Sequence, residues 1–299
     1  MMQSSVSGLF ILVGLGHRIY RFLPTIARDA IVYGKLQDKT QRSSSLQLLL
    51  VPKRWFLHFY LLSFIWNGMT LAITLRFVLQ GNPFPAWYVR VLETLTNYPI
   101  STPRVDLLSI TIAIMVIVVH AFRRILECLF VSVYSKSNMH VAHYLAGIFF
   151  YSLQGFSIIG EGPQVHSEGE CVPHTMSEMM KNLRVNHIVG VLVFLWASWH
   201  HHRAHEIFAS LRSTAKDVNR HMIPRGDWFE YVSCPHYLAE ILIYISLGLI
   251  LGPAQQTWWL VLAFVVSNQT AASLEVHRWY RAKFEDYPKD RKAFIPFIL

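Results

Sequence analysis

Apolar runs of roughly membrane-spanning length alternate with short polar stretches along most of the chain. After an apolar but short segment at 5–16, such runs recur at 56–79, 107–122, 141–159, 185–200, 235–252 and 256–274. A helix crosses a bilayer with about 20 apolar residues, and the shorter runs reach that thickness by tilting or by snorkelling at their ends. The pattern predicts an all-α polytopic membrane protein with about seven transmembrane helices. In the first segment the basic flank, His17 to Arg21, follows the apolar run instead of preceding it, so it reads as an uncleaved anchor and not as a signal peptide. No repeat with a period of roughly 20 to 50 residues and no low-complexity linker divides the chain, which predicts a single integral-membrane domain over 1–299.

Charge then orients the helices. Of the 27 Lys and Arg residues, 22 fall in alternate loops: eight in 17–55, three in 123–140, five in 201–234 and six in 275–299. The other five are Arg76, Arg90, Arg104, Lys181 and Arg184. Under the positive-inside rule the first set is cytosolic, which puts the N-terminus in the lumen and the C-terminus in the cytosol. The loop around 160–184, with Glu161, Glu168, Glu170 and Glu178, is then lumenal. A chain 53% hydrophobic and 15% charged, with mean hydropathy +0.33, is a membrane protein by composition. Its net charge of +9 points to anionic headgroups or a phosphate-bearing cofactor, not to nucleic acid, because the bases sit in loops beside apolar spans. Cys128, Cys171 and Cys234 stand far apart and encode neither a disulfide framework nor a zinc site. Asn268-Gln269-Thr270 matches a glycosylation sequon inside an apolar run, beyond the reach of a transferase.

Four stretches carry polar chemistry. Ile223 to Glu240 begins as a turn, with Pro224 and Gly226 before Trp228 and Phe229, and Pro235 opens a helix that aligns His236 and Glu240 on one face. A carboxylate inside a membrane helix costs about 2.5 to 3.5 kcal/mol at the centre, so Glu240 either holds a partner or ligand or snorkels to water. His200, His201, His202 and His205 include a pair at metal-ligand spacing, but di-iron enzymes need further histidine boxes and only His140-x-x-His143 is present. They read as hydrogen-bonding or phosphate-facing groups at a helix end, with no metal. Arg124 and Glu127 share a face at i, i+3, either as an ion pair or as part of a guanidinium clamp on phosphate. Without a GxGxxG or P-loop, a nucleotide would have to be held by side chains within the bundle. His277 and Tyr280, three apart after the last run, could donate a proton and a hydrogen bond, or simply belong to a basic interfacial anchor.

Taken in order, H-x-x-x-R at 120–124, Leu211-Arg212, I-P-x-G-D-W-F-E-Y-V-S-x-P-x-Y-L-x-E at 223–240 and H-R-x-Y-x-x-K-F-E-D-Y-P-K-x-R-K-A-x-I-P-F from His277 resemble the steroid 5α-reductase family. The likeness runs from about Trp55 onward and is strongest over the last hundred residues, with a reductase signature region at about 185–299. It is closest to the branch that reduces polyprenal for dolichol synthesis and so for protein N-glycosylation. The resemblance implies a seven-helix enzyme of the endoplasmic reticulum membrane that holds NADPH between its helices. It places Arg124, His205, Arg212, His221, His236 and Tyr280 around NADPH, with Glu240 near the nicotinamide. His236 stands where the family often has Asn, and Met222 replaces a phosphate-binding arginine, for which Arg220 or Arg225 would compensate. A glutamate and a tyrosine that grip a steroid ketone give way to Phe59, beside His58, and to Ala121, which argues against a steroid substrate.

The implied reaction sends hydride to the β-carbon of an enal while charge gathers on the aldehyde oxygen. The donor to that oxygen is then His58 or His277, with Tyr280 in support. Polyprenal, or another long isoprenoid, would lie between helices open to the bilayer. Two rivals are a trans-2-enoyl-CoA reductase, which usually carries a further N-terminal domain, and a non-catalytic membrane scaffold or carrier whose polar residues only pair with one another.

Overall fold

The structure, a computed structural model, describes residues 49–96, 103–135, 138–163, 175–212, 214 and 221–297. The anchor expected at 5–16 lies outside these residues, as do Glu168, Glu170, Cys171 and Arg220. A short strand β1 (Leu50–Pro52) leads into α1 (Phe56–Gln80), followed by α2 (Ala86–Leu95), α3 (Leu107–Leu126), β2 (Asn138–His140), α4 (Val141–Ile159), α5 (Met176–Lys181), α6 (Val185–Ser210), α7 (Pro235–Leu251) and α8 (Gln256–Lys283). β1 and β2 pair antiparallel, Val51 opposite Met139, a small ribbon that the hydrophobic pattern does not predict.

Six of the expected apolar runs are helices at the expected places. Two differences matter for the site. α6 runs to Ser210 and α8 to Lys283, so the histidine cluster and the His277/Tyr280 pair lie within helices and not at or beyond their ends. The polar residues continue each helix because they face partners on other helices. By length and composition, Lys53–Gln80 and Gln256–Lys283 could each cross a membrane. On α6, Val185, Ile188, Leu192, Leu195 and Trp199 form an exposed apolar stripe at helical spacing, which suits a bilayer and not water. This architecture is compatible with an all-α membrane protein.

Packing between helices is close where side chains are small. At Gly190 on α6 a Cβ would come within 2.5 Å of Ile250 Cγ1 and 2.8 Å of the Ser246 carbonyl on α7. A glycine there lets the two backbones approach, as in membrane helix pairs generally. Asn186 Nδ2 donates to the Leu249 carbonyl at 2.8 Å beside it. The start of α8 is capped from a distance: the buried Glu161 accepts from the Gln256 N–H (3.1 Å) and the Thr257 N–H (2.6 Å), and Arg104 donates to it at 3.2 Å. A carboxylate against the unpaired N–H groups of a helix N-terminus satisfies both.

Candidate active site

The apolar face of α3 ends in His120, Arg123 and Arg124, and a π-helical turn over Glu127–Val131 swings Glu127 back toward them. Glu127, 2% exposed, accepts from both guanidiniums and bonds His202 Nδ1 at 2.9 Å. Burial alone would raise this carboxyl, but Arg124, Arg123 and the His202 bond outweigh it and hold Glu127 below the usual carboxylate range. Arg124 Nη2 also donates to the Tyr60 hydroxyl at 3.2 Å, with the guanidinium 4.8 Å from that ring.

Arg123 Nη2 reaches His120 Nδ1 at 3.3 Å and His201 Nδ1 at 3.1 Å. Arginine can only donate, so both Nδ1 atoms accept and the Nε2 atoms carry the hydrogens. Both Nε2 atoms face Glu240, His201 at 3.4 Å and His120 at 3.7 Å. Glu240 therefore has partners on α3 and α6 and does not snorkel. His205 stands next to this network, its ring 4.8 Å from His201 and 6.1 Å from His236. Ligand atoms of Glu127, His201 and His205 lie within 4.8 Å of one another. Arg123 and Arg124 already neutralise Glu127, which leaves that trio a poor host for a cation.

A second cluster forms where the stretch at 223–240 meets the C-terminal tail. The Ser233 N–H donates to the Lys292 carbonyl (2.8 Å), the Cys234 N–H to that of Ala293 (3.1 Å) and the Lys292 N–H to that of Tyr231 (2.9 Å). Ser233 Oγ meets His277 Nδ1 and the Tyr287 hydroxyl, each at 2.6 Å. Tyr280 stacks on Tyr287 with centroids 5.3 Å apart, and burial pushes the Tyr287 phenol up so that it stays protonated. Arg291, 2% exposed, donates from Nη1 to the Pro224 carbonyl at 3.1 Å and lies over the Tyr287 ring at 5.2 Å, while its Nε and Nη2 meet no acceptor among the described residues. Arg212 Nη1 donates to the Val133 carbonyl at 2.6 Å, and His221 lies edge-on to Trp279 at 4.9 Å.

The structure thus gathers His205, His236, Glu240 and Arg124 in one network, and Tyr280, His277, Arg212 and His221 in or beside the second. Ser233 and His236, three residues apart, join one to each. His58 belongs to neither: its Nδ1 bonds the Tyr144 hydroxyl at 3.0 Å, under Trp55 near the ribbon. Sequence reasoning missed Tyr60, His120 and His201 as partners, and Ser233 and Arg291, which lay unmarked inside the two long motifs.

A family profile described as 3-oxo-5-alpha-steroid 4-dehydrogenase matches residues 137–299, which include all of the second cluster and the α6 and α7 side of the first. The protein is an oxidoreductase of the class that acts on a CH–CH group. It is similar to the polyprenal reductases of Xenopus tropicalis (41% identical over 290 residues, 95% of this chain and 90% of that protein), Danio rerio (38% over 278, 92% and 88%) and Homo sapiens (37% over 277, 91% and 86%). The chain belongs to the steroid 5α-reductase family, in its polyprenal reductase branch.

Proposed function

We propose that the protein reduces the α,β-double bond of polyprenal with NADPH, in the endoplasmic reticulum membrane and on the route from polyprenol to dolichol. The observation that carries the substrate is the similarity to polyprenal reductases over nine-tenths of each chain. The cofactor reading is supported by the donor set. A dinucleotide phosphate needs buried cationic donors, and Arg291 keeps Nε and Nη2 without acceptors among the described residues, while Arg212 and Arg291 both stand within electrostatic reach of Tyr280. Arg212, Arg291, His221 and Tyr280 would hold the phosphates and ribose, with His205 and His236 beside them and Arg124 anchoring Tyr60. Bound there, NADPH supplies the hydride.

Glu240, held by His120 and His201, orients the polar end of α7 and would lie near the nicotinamide, where the packed helices exclude water from the hydride path. His277, held at Nδ1 by Ser233, acts as a proton carrier, and Tyr280 supports it. Seven helices, including the anchor at 5–16, with a lumenal N-terminus complete the reading as one membrane domain. The test is NADPH consumption by purified protein with polyprenal in competition with a 3-oxo-4-ene steroid. Polyprenal should show the higher kcat/KM. A higher value for the steroid, or no reduction of either, would refute the assignment.

A further inference from the structure

As hydride adds to an unsaturated aldehyde, its carbonyl oxygen becomes an enolate, and a donor aimed at that oxygen is worth about a hundredfold to a thousandfold in rate. His58 and His277 each have one ring nitrogen engaged, by Tyr144 and Ser233. The interior phenols are mostly engaged too. Tyr60 accepts from Arg124, Tyr88 pairs with Thr70, Tyr244 accepts from Gln154 Nε2 at 2.7 Å, and Tyr287 pairs with Ser233.

Tyr151 differs. Its ring is held on three sides, stacked on Phe59 (5.8 Å, 15°) and edge-on to Tyr60 (5.7 Å, 68°) and Phe150 (5.5 Å, 88°). Its hydroxyl bonds no group among the described residues. Within electrostatic reach of it stand Tyr60, Tyr244, Glu240 and Arg124. One turn earlier on α4, a Cβ at Gly147 would come within 2.8 Å of Phe59 Cζ, so the glycine lets Phe59 lie on the α4 backbone. The Phe59 stack in turn fixes where the Tyr151 hydroxyl points.

We propose that Tyr151 is a catalytic residue whose hydroxyl donates to the substrate carbonyl oxygen and stabilises the enolate. The proposal rests on the reading of the protein as a reductase of conjugated carbonyls. Hydride from the reduced nicotinamide forms the new bond at the β-carbon, and the π pair of the double bond moves to give the enolate. A proton carried by His277 then reaches the α-carbon, the enolate collapses to the saturated aldehyde, and the nicotinamide is left oxidised. Tyr151 keeps its own proton throughout. An enclosed phenol with a free hydroxyl suits this role, because its direction is set before substrate arrives and no internal bond must break.

The test is Tyr151→Phe in the full-length protein, which keeps the ring and its stacking. kcat should fall about a hundredfold to a thousandfold. Affinity for the saturated aldehyde, followed by tryptophan quenching without cofactor, should fall less than about tenfold, the worth of one neutral hydrogen bond. A kcat within about threefold of wild type would overturn the proposal, as would a loss of aldehyde binding as large as the loss of kcat, which marks a packing role. The pair of proteins is also assayed with a 3-oxo-4-ene steroid and a trans-2-enoyl-CoA. If wild type reduces one of these and not polyprenal, the substrate reading fails and the Tyr151 effect is read on that carbonyl. If it reduces none, both readings fall.

Discussion

Replacing Glu127 with Gln should be among the costliest isosteric changes in the molecule. The carboxylate is 2% exposed and is the shared acceptor of two guanidiniums and of His202 Nδ1. Glutamine keeps the volume and one acceptor but removes the counter-charge that Arg123 and Arg124 contact directly, in a site poor in water. Removing one partner of a buried ion pair costs on the order of 3–5 kcal/mol. At roughly 2–4 °C per kcal/mol for a chain approaching this size, Tm should fall by roughly 6–20 °C. The assay is thermal unfolding of the purified protein in one fixed detergent. The double variant Glu127→Gln, Arg123→Gln should recover part of the loss, because it removes one orphaned cation together with the anion. A pH series adds a second readout. Since Glu127 is held below the usual carboxylate range, its contribution is fully present above about pH 4.3 and is lost as pH falls through the lower folded value. Wild type should therefore lose stability in that acidic window, and Glu127→Gln should lose less. A Tm shift under about 2 °C at pH 7 would refute the view of Glu127 as the keystone of the cationic network.

Two further outcomes follow from geometry and charge. Gly190→Ala should destabilise by about 1–3 kcal/mol through overpacking of α6 on α7, because the carbonyl of Ser246 at 2.8 Å cannot rotate away as a side chain would; unchanged thermal unfolding would show that the helices slide apart freely. A glycosylation acceptor inserted within 160–184 should be modified in microsomes and one placed after Leu299 should not, given 22 of 27 basic residues in the alternate loops; the reverse pattern would invert the orientation.

The helices were legible because apolar runs closed by turn residues leave few alternatives. Val141–Ile159 matches its run end to end, and Pro235 opens α7 as its fixed φ favours. The extent of α6 was not legible. Four histidines in six residues look like the end of an apolar span, yet each ring finds a partner on another element, such as Asp227 for His200 at 3.0 Å, and partners of that kind leave no mark on local periodicity. The Arg124–Glu127 pair could be read from spacing alone, whereas the convergence of His120 and His201 on Glu240 needed three helices at once. Ser233 was hidden by its neighbours: within a motif of aromatics and prolines, a small hydroxyl gives no signal until His277 and Tyr287 are placed against it.

The backbone bridge between Tyr231–Cys234 and Lys292–Ala293 also bears on how the molecule is assembled. Ser233 and Lys292 are 59 residues apart, and everything between them, including α7 and α8, forms one closed loop. During synthesis both helices emerge before Lys292 and Ala293 do, so the base of the α7 and α8 hairpin is fastened only after both helices have been made. The closure entropy of so long a loop is then offset in a single late event by three backbone hydrogen bonds and the seating of Arg291 on Pro224. His277 and Tyr287 meet Ser233 in this bridged arrangement, so the second cluster is completed after the helices that flank it have been made.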